Sequence, residues 1–145
     1  FIGAAVVFLF FRKFRQGGAA MCGAILLSLL VGNLLLKNLV ARDRPCWIDP
    51  DFLQLLVSVP KDFSFPSAHT MISVSAAAAL FHYSKALGIP ALVIAALVGF
   101  SRLYLFVHFP TDVLAGAVIG VILAVVSCIV TDKIAARIKS KKAVN

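Results

Sequence analysis

The chain has 145 residues, of which 61% are hydrophobic and 14% charged, and its mean hydropathy is +1.01. This composition excludes a disordered chain and argues against an ordinary soluble globule. The length allows one membrane domain of at most about five or six helical spans. The net charge of +8 indicates anionic lipid headgroups rather than nucleic acid as partners, because the basic residues flank apolar runs.

Apolar runs separated by basic or proline-rich breaks predict an all-α, polytopic transmembrane helix bundle. Residues 1–11 would extend only about 16 Å as a helix, so we expect them to be the end of a truncated span. Residues 19–40 are long enough to cross the bilayer, and Pro45 is expected to stop that helix. Residues 46–65 contain a short apolar stretch among Trp, Pro and Asp, which predicts an interfacial loop or lid.

Three further apolar segments bring the predicted number of spans to about five within a single domain. These segments are residues 66–85, 90–107 and 111–130. Ser67 and Thr111 are candidate N-caps. Gly116 and Gly120 form a GxxxG pattern, which is typical of close helix packing but also arises by coincidence in helices rich in Gly and Ala. Residues 133–145 are expected to form a basic cytoplasmic tail.

Polar residues gather at the ends of the predicted spans. If successive spans alternate in direction, the C-terminal ends of two of them and the N-terminal ends of the other two meet at the same membrane face. The residues at these four ends are Lys37, Arg44, Ser67, His69, Arg102, His108 and Asp112. We therefore expect one active site at this face.

The distribution of charge predicts the orientation of that face. The opposite side carries nine basic residues and one acid, whereas the side of the polar cluster carries five of each. The nine are Arg12, Lys13, Arg15, Lys85, Lys133, Arg137, Lys139, Lys141 and Lys142. By the positive-inside rule, this side is cytoplasmic and the site faces the extracytoplasmic side of the cell membrane.

The cations of the cluster suit an anion such as phosphate. Arg44 and Arg102 offer forked donors and Lys37 a compact charge, whereas each alone could be a snorkelling or loop residue. Ser67 at a helix N-terminus adds free N–H groups, although a plain N-cap has the same appearance. The chain contains no carboxylate cluster or cysteine–histidine pattern that predicts a metal or cofactor.

Two histidines in the cluster suggest acid–base or nucleophilic chemistry. His69 and His108 are predicted to face the same anion site, and a packed histidine is the alternative for each alone. Asp112, four residues after His108, could accept a hydrogen bond from its ring and fix its orientation, or cap the helix.

The same residues form three ordered motifs. Lys37, six residues and Arg44-Pro45 come first, Pro-Ser-Ala-His over 66–69 is second, and Ser-Arg, five residues, His108, three residues and Asp112 is third. This set resembles the phosphatidic acid phosphatase type 2 superfamily of membrane lipid phosphatases. Two departures are Ala68 in place of the usual glycine, which would be strained at a positive φ, and the apparent lack of the first of six family helices.

The resemblance implies a role for each residue. His108 would be the nucleophile that forms a phosphohistidine, Asp112 would orient it, and His69 would serve as acid and then base. Lys37, Arg44, Ser67 and Arg102 would hold the phosphoryl oxygens, with no metal and no cofactor. The implied substrate is a lipid phosphate or diphosphate, such as a polyprenyl diphosphate, phosphatidate or phosphatidylglycerophosphate.

The sequence leaves other functions open. A phosphotransferase would pass the phosphoryl group to a lipid or sugar hydroxyl through the same site. A vanadate-dependent haloperoxidase has a similar site but does not call for four hydrophobic spans. A lipid-phosphate transporter would explain the cations but not the two histidines with Asp112, and a structural bundle would not explain the convergence. The oligomeric state, the headgroup and the lipid chain length are not predicted.

Overall fold

The structure, a computed structural model, describes residues 1–48 and 57–144, with side chains through residue 141. All regular elements in these residues are helices, which confirms the all-α prediction. They are α1 (Ile2–Phe10), α2 (Arg15–Ser28), a π-helical segment (Leu29–Leu36), α3 (Lys37–Val40), α4 (Pro45–Ile48), α5 (Ala68–Tyr83), α6 (Lys85–Tyr104) and α7 (Pro110–Val144). Part of the predicted loop or lid at 46–65 lies outside the described residues.

α2, the π-helical segment and α3 form one uninterrupted helix, residues 15–40. It begins four residues before the predicted start and ends at Val40, because Ala41 adopts the left-handed conformation (φ 47°). The prediction that Pro45 stops this helix was therefore wrong. Pro45 instead opens α4, a position where its missing N–H costs no hydrogen bond.

α5 lies at the centre of the bundle, in contact with α2, α6 and α7. Its buried side chains are mostly small, and Ala76, Ala77 and Ala79 are fully covered. Small residues allow the backbones of neighbouring helices to approach closely. This contact stabilises helix packing in a membrane, where the hydrophobic effect does not drive helices together. Hydrogen bonds between helices add to this packing, as Ser28 Oγ donates to Ser75 Oγ at 2.9 Å.

The GxxxG pattern is a packing face. A Cβ added to Gly116 would lie 2.8 Å from the backbone oxygen of Ser67, and one added to Gly120 would lie 2.7 Å from that of Met71. α7 therefore approaches α5 at backbone contact along this face, which confirms the packing interpretation over coincidence.

The outer surface of the bundle is apolar. α6 and α7 expose large aliphatic and aromatic side chains, among them Leu97, Phe100, Leu114 and Val118. Three helical stretches among the described residues are long and apolar enough to cross a membrane, namely Arg15–Ile48, Lys85–Tyr104 and Pro110–Lys141. α5 has 16 residues, about 24 Å of helix. The predicted number of about five spans stays a prediction.

Two helix boundaries differ from the predictions. α6 begins at Lys85 rather than at residue 90, so Pro90 is the sixth residue of the helix and has no N–H to donate to the carbonyl oxygen of Ala86. α7 begins at Pro110, so Thr111 lies inside the helix rather than at its cap, and the helix continues through residues 133–144. The predicted basic tail is thus helical over that range.

Candidate active site

Three helices and the connections beside them meet around a cavity of about 220 Å³. Five of the seven predicted site residues line it: Lys37, Arg44, His69, Arg102 and His108. They come from α3, the turn before α4, the start of α5, the end of α6 and the connection between α6 and α7. Residues separated by up to 71 positions in the sequence thus share one cavity wall.

Two turns with positive φ carry the chain into this cavity. Among the described residues other than glycine, only Ala41 (φ 47°) and Phe106 (φ 53°) adopt such values. This conformation costs about 1–2 kcal/mol for a residue with a Cβ. Ala41 precedes Arg44 by three residues and Phe106 precedes His108 by two, so both turns direct functional side chains towards the cavity.

Arg44 is held rigidly by backbone oxygens. It is 3% exposed, its Nε donates to the carbonyl oxygen of Asp62 at 2.7 Å, and its Nη1 donates to that of Val107 at 2.8 Å. Its Nη2 forms an ion pair of 2.8 Å with Asp62 Oδ1. Lys37 is buried as well and forms an ion pair with the same carboxylate. Both cations are therefore fixed beside the cavity.

The contact between Arg44 and His108 assigns the ring tautomer. Arg44 Nη1 lies 3.2 Å from His108 Nε2. A guanidinium can only donate, so Nε2 accepts and the ring proton resides on Nδ1. Nδ1 lies 3.5 Å from Ser64 Oγ and 3.7 Å from Asp112 Oδ2. The free lone pair of the ring is thus on Nε2, which lies against the Arg44 guanidinium.

His108 is kept neutral by its surroundings. Burial lowers the pKa of this imidazole, and the nearby charge of Arg44 lowers it further. Asp112 opposes the shift but does not reverse it. A histidine with a lowered pKa is unprotonated at neutral pH and can act as a nucleophile.

Asp112 lies behind His108, fully buried and outside the cavity lining. Its carboxylate accepts hydrogen bonds from Ser64 Oγ, from Arg42 Nη1 at 2.8 Å and from the backbone N–H of Phe109 at 2.9 Å. The last bond is half of a capping box, because Asp112 is the third residue of α7. The same side chain therefore caps α7 and lies beside His108.

Of the polar residues in the second motif, His69 lies in the cavity wall and Ser67 lies behind it. His69, the second residue of α5, lines the cavity, and Ala68 lines it too. Ser67 occupies the N-cap position of α5 but forms no side-chain cap, and its buried hydroxyl lies 3.0 Å from Thr70 Oγ1. The structure does not bring Ser67 into the cavity lining. Ala68 is helical, so the strain expected at a positive φ does not arise.

The described lining of the cavity carries three cationic side chains and one carboxylate. Arg102, in the last turn of α6, is partly buried, and its Nε donates to Ser101 Oγ at 3.1 Å. With Lys37 and Arg44, it surrounds a space whose net charge is positive even with Asp62 present. Such a site attracts phosphate and offers a neutral nucleophile beside it.

Sequence reasoning missed four residues around this site. Asp62 binds two cations, Ser64 donates to Asp112, and Arg42 forms an ion pair with Asp112. Asn33 lines the cavity from the π-helical segment, and its buried Oδ1 has no hydrogen-bond partner in the described part of the chain. A polar residue within an apolar span was a usable signal for Asn33. Asp62 and Ser64 lie in a loop whose path the sequence does not reveal.

Comparisons with known proteins place the chain in a family. A family model described as "PAP2 superfamily" matches residues 17–135. An undecaprenyl-diphosphatase of Sulfolobus acidocaldarius is 32% identical over 121 residues, which cover 82% of this chain and 57% of that protein. The chain spans 57 to 60% of the length of this and other curated relatives.

Two solved structures share the fold. The crystal structure of Aquifex aeolicus LpxE has a TM-score of 0.73 and 31% identity, covering 86% of this chain and 73% of that one. A transmembrane phosphatidylglycerolphosphate phosphatase from Bacillus subtilis has a TM-score of 0.69 and 35% identity, covering 92% and 68%.

Proposed function

We propose a function for this chain from its membership of the PAP2 superfamily. It is a membrane phosphatase that hydrolyses a lipid phosphate or diphosphate through a phosphohistidine intermediate. The observation that supports this most directly is the environment of His108. Its Nε2 carries a lone pair beside Arg44 and a cavity lined by three cations. This combination provides both an attacking atom and charge stabilisation for a transferring phosphoryl group.

In the first step, His108 Nε2 attacks the phosphorus atom, and the bond from phosphorus to the lipid oxygen breaks. His69, in its protonated form, donates a proton to the leaving oxygen and becomes neutral. Lys37, Arg44 and Arg102 stabilise the charge on the equatorial oxygens. Asp112 and Ser64 hold the protonated Nδ1 as positive charge develops on the ring.

In the second step, His69 takes a proton from water, and the resulting hydroxide attacks the phosphohistidine. The bond from phosphorus to nitrogen breaks, inorganic phosphate is released, and His108 returns to its neutral form. Ser67 has a structural role in this proposal rather than a contact with phosphate, because its hydroxyl contacts Thr70 and its N–H is bonded to the carbonyl oxygen of Asp112. We propose that neither a metal nor a cofactor takes part.

The substrate is a lipid because the polypeptide around the site exposes apolar surface suited to the bilayer. Polyprenyl diphosphate and phosphatidylglycerophosphate are the first candidates, since the relatives named above act on such headgroups by their names. Phosphatidate remains a third. The site faces the extracytoplasmic side of the plasma membrane in this proposal, because the helical stretch 133–144 is basic.

The test is phosphate release from these lipids in detergent, with EDTA present, by wild type, His108→Ala and His82→Ala. His82 is the matched control, because it pairs with Asp132 outside the catalytic cavity. We expect release that survives EDTA, persists in His82→Ala and is lost in His108→Ala. Release abolished by EDTA would refute the metal-free route. Release retained by His108→Ala would refute the phosphohistidine.

A further inference from the structure

Asp62 already forms ion pairs with two of the cationic side chains that the proposed function assigns to the phosphate of the substrate. Its carboxylate forms ion pairs with Lys37 and, at 2.8 Å, with Arg44 Nη2. Asp62 lies in the described loop that precedes α5, and it lines the catalytic cavity. A carboxylate thus resides where phosphate oxygens are expected.

The two cations depend on this carboxylate to different degrees. Lys37 is 5% exposed, and Asp62 is the partner of its ammonium group within the described residues. A buried ammonium without an anion is strongly unfavourable. Arg44 also donates to the backbone oxygens of Asp62, Phe63 and Val107, so its guanidinium stays oriented without the carboxylate.

The Asp62 carboxylate itself is well placed to leave. Its side chain is 57% exposed, so its own charge stays solvated when it turns towards water and phosphate takes its place beside Lys37. Burial alone would raise the pKa of Asp62, but the hydrogen bond and charge of Lys37, together with Arg44, hold it below the usual value. The group is therefore an anion at neutral pH.

We propose that Asp62 is a placeholder anion, which neutralises Lys37 and Arg44 while the cavity is empty and is displaced by the phosphate of the substrate. This role rests on the proposed function, because it assigns the same cations to phosphate. The displacement makes phosphate compete with an internal carboxylate. Asp62 thus lowers the affinity of the site for phosphate, and it favours release of the inorganic phosphate product.

The test measures binding of inorganic phosphate to the detergent-purified chain by titration calorimetry at fixed ionic strength. Asp62→Asn removes the charge and keeps the shape. Asp43→Asn is the matched control, because this exposed acid lies outside the cavity lining. We expect Asp62→Asn to bind phosphate about fivefold more tightly, the size typical of a partly exposed charge pair, and Asp43→Asn to match wild type.

Other results would overturn the proposal. Unchanged or weaker phosphate binding by folded Asp62→Asn would mean that the carboxylate positions the cations rather than competing with phosphate. Asp62→Ser replaces the Asn variant if that variant does not give a monodisperse helical protein. Absence of phosphate binding by wild type and by Asp62→Asn would also refute it.

Binding and turnover separate this proposal from the proposed function. Tighter phosphate binding by Asp62→Asn without release of phosphate from any lipid would refute the hydrolase and support the placeholder. Lipid hydrolysis by wild type with unchanged phosphate binding in Asp62→Asn would support the hydrolase and refute the placeholder.

Discussion

Ser64 donates its hydroxyl proton to Asp112 Oδ2, and both side chains are fully buried. The same hydroxyl lies 3.5 Å from His108 Nδ1, closer than the 3.7 Å that separates this nitrogen from the carboxylate. Ser64 thus fixes the carboxylate and contributes an oxygen to the surroundings of the ring proton. The orientation of His108 is therefore expected to depend on the loop before α5 as well as on α7.

Ser64→Ala should reduce kcat by about tenfold and leave KM nearly unchanged, because it removes a hydrogen bond worth about 1–2 kcal/mol from the orienting carboxylate. Lipid hydrolysis at several substrate concentrations gives both constants. Ser58→Ala is a suitable control, since Ser58 is exposed in the same loop. A rise in KM at constant kcat would show instead that Ser64 acts in substrate binding.

Arg42→Met should also lower kcat, but by less than Asp112→Asn does. Arg42 Nη1 binds Asp112 Oδ1 at 2.8 Å, and its guanidinium stacks 4.0 Å from the Phe109 ring centroid. Loss of Arg42 removes one of three donors to the carboxylate and leaves the other two. Steady-state kinetics of the two variants, with Lys61→Met as a control for surface charge, tests this order. An Arg42→Met defect as large as that of Asp112→Asn would contradict it.

The titration of His108 should lie at lower pH than that of an exposed histidine. Burial and the charge of Arg44 both disfavour the imidazolium, so the neutral imidazole persists as the pH falls below 6.5 and is lost only in more acidic solution. In Arg44→Met the midpoint should rise, because the repelling charge is gone and burial remains.

Histidine NMR in detergent measures this directly, since the chain has three histidines and His108→Gln identifies the signal. A midpoint at or above 6.5 in wild type would show that Asp112 outweighs burial and Arg44. An unchanged midpoint in Arg44→Met would show that the charge of Arg44 does not contribute to the lowered pKa of His108.

Gly120→Ala should lower the thermal stability of the detergent-solubilised protein. The new Cβ would lie 2.7 Å from the backbone oxygen of Met71, which cannot move without displacing α5. Overpacking of this kind costs about 1–3 kcal/mol. Gly3→Ala is the matched control, because nothing lies within 4 Å of its added Cβ. Equal melting temperatures for the two variants would refute the tight α5–α7 contact.

The sequence predicted the helical class and five of the residues around the cavity because both follow from local patterns. Apolar runs mark helices, and alternation of spans brings Lys37 and His69 to one face. Some boundaries were less accurate, since α6 begins at Lys85 rather than at residue 90. The helix predicted over residues 19–40 does end at Val40, but it stops at a left-handed alanine, and nothing in the composition marks Ala41 for that conformation.

The contacts of the loop before α5 were beyond the sequence for a different reason. Asp62 and Ser64 act through partners 25 and 48 positions away, and no periodicity specifies how an irregular segment folds back. Ser67 was predicted to contact phosphate because it lies at a helix N-terminus with free N–H groups and because the family resemblance implies that role. Its hydroxyl instead contacts the hydroxyl of Thr70, one helical turn onward. Packing decides which local partner the hydroxyl takes, and the sequence pattern does not specify it. The assigned roles of all seven residues remain proposals.

The starts of α5 and α7 are joined by a main-chain hydrogen bond, from the N–H of Ser67 to the carbonyl oxygen of Asp112, 3.0 Å long. His69 follows one end of this bond by two residues, and His108 precedes the other end by four. The backbone positions of the two histidines are thus linked by a hydrogen bond that involves no side-chain atoms. Substitutions in the cavity lining can therefore accumulate around this main-chain bond without changing the backbone separation of His69 and His108.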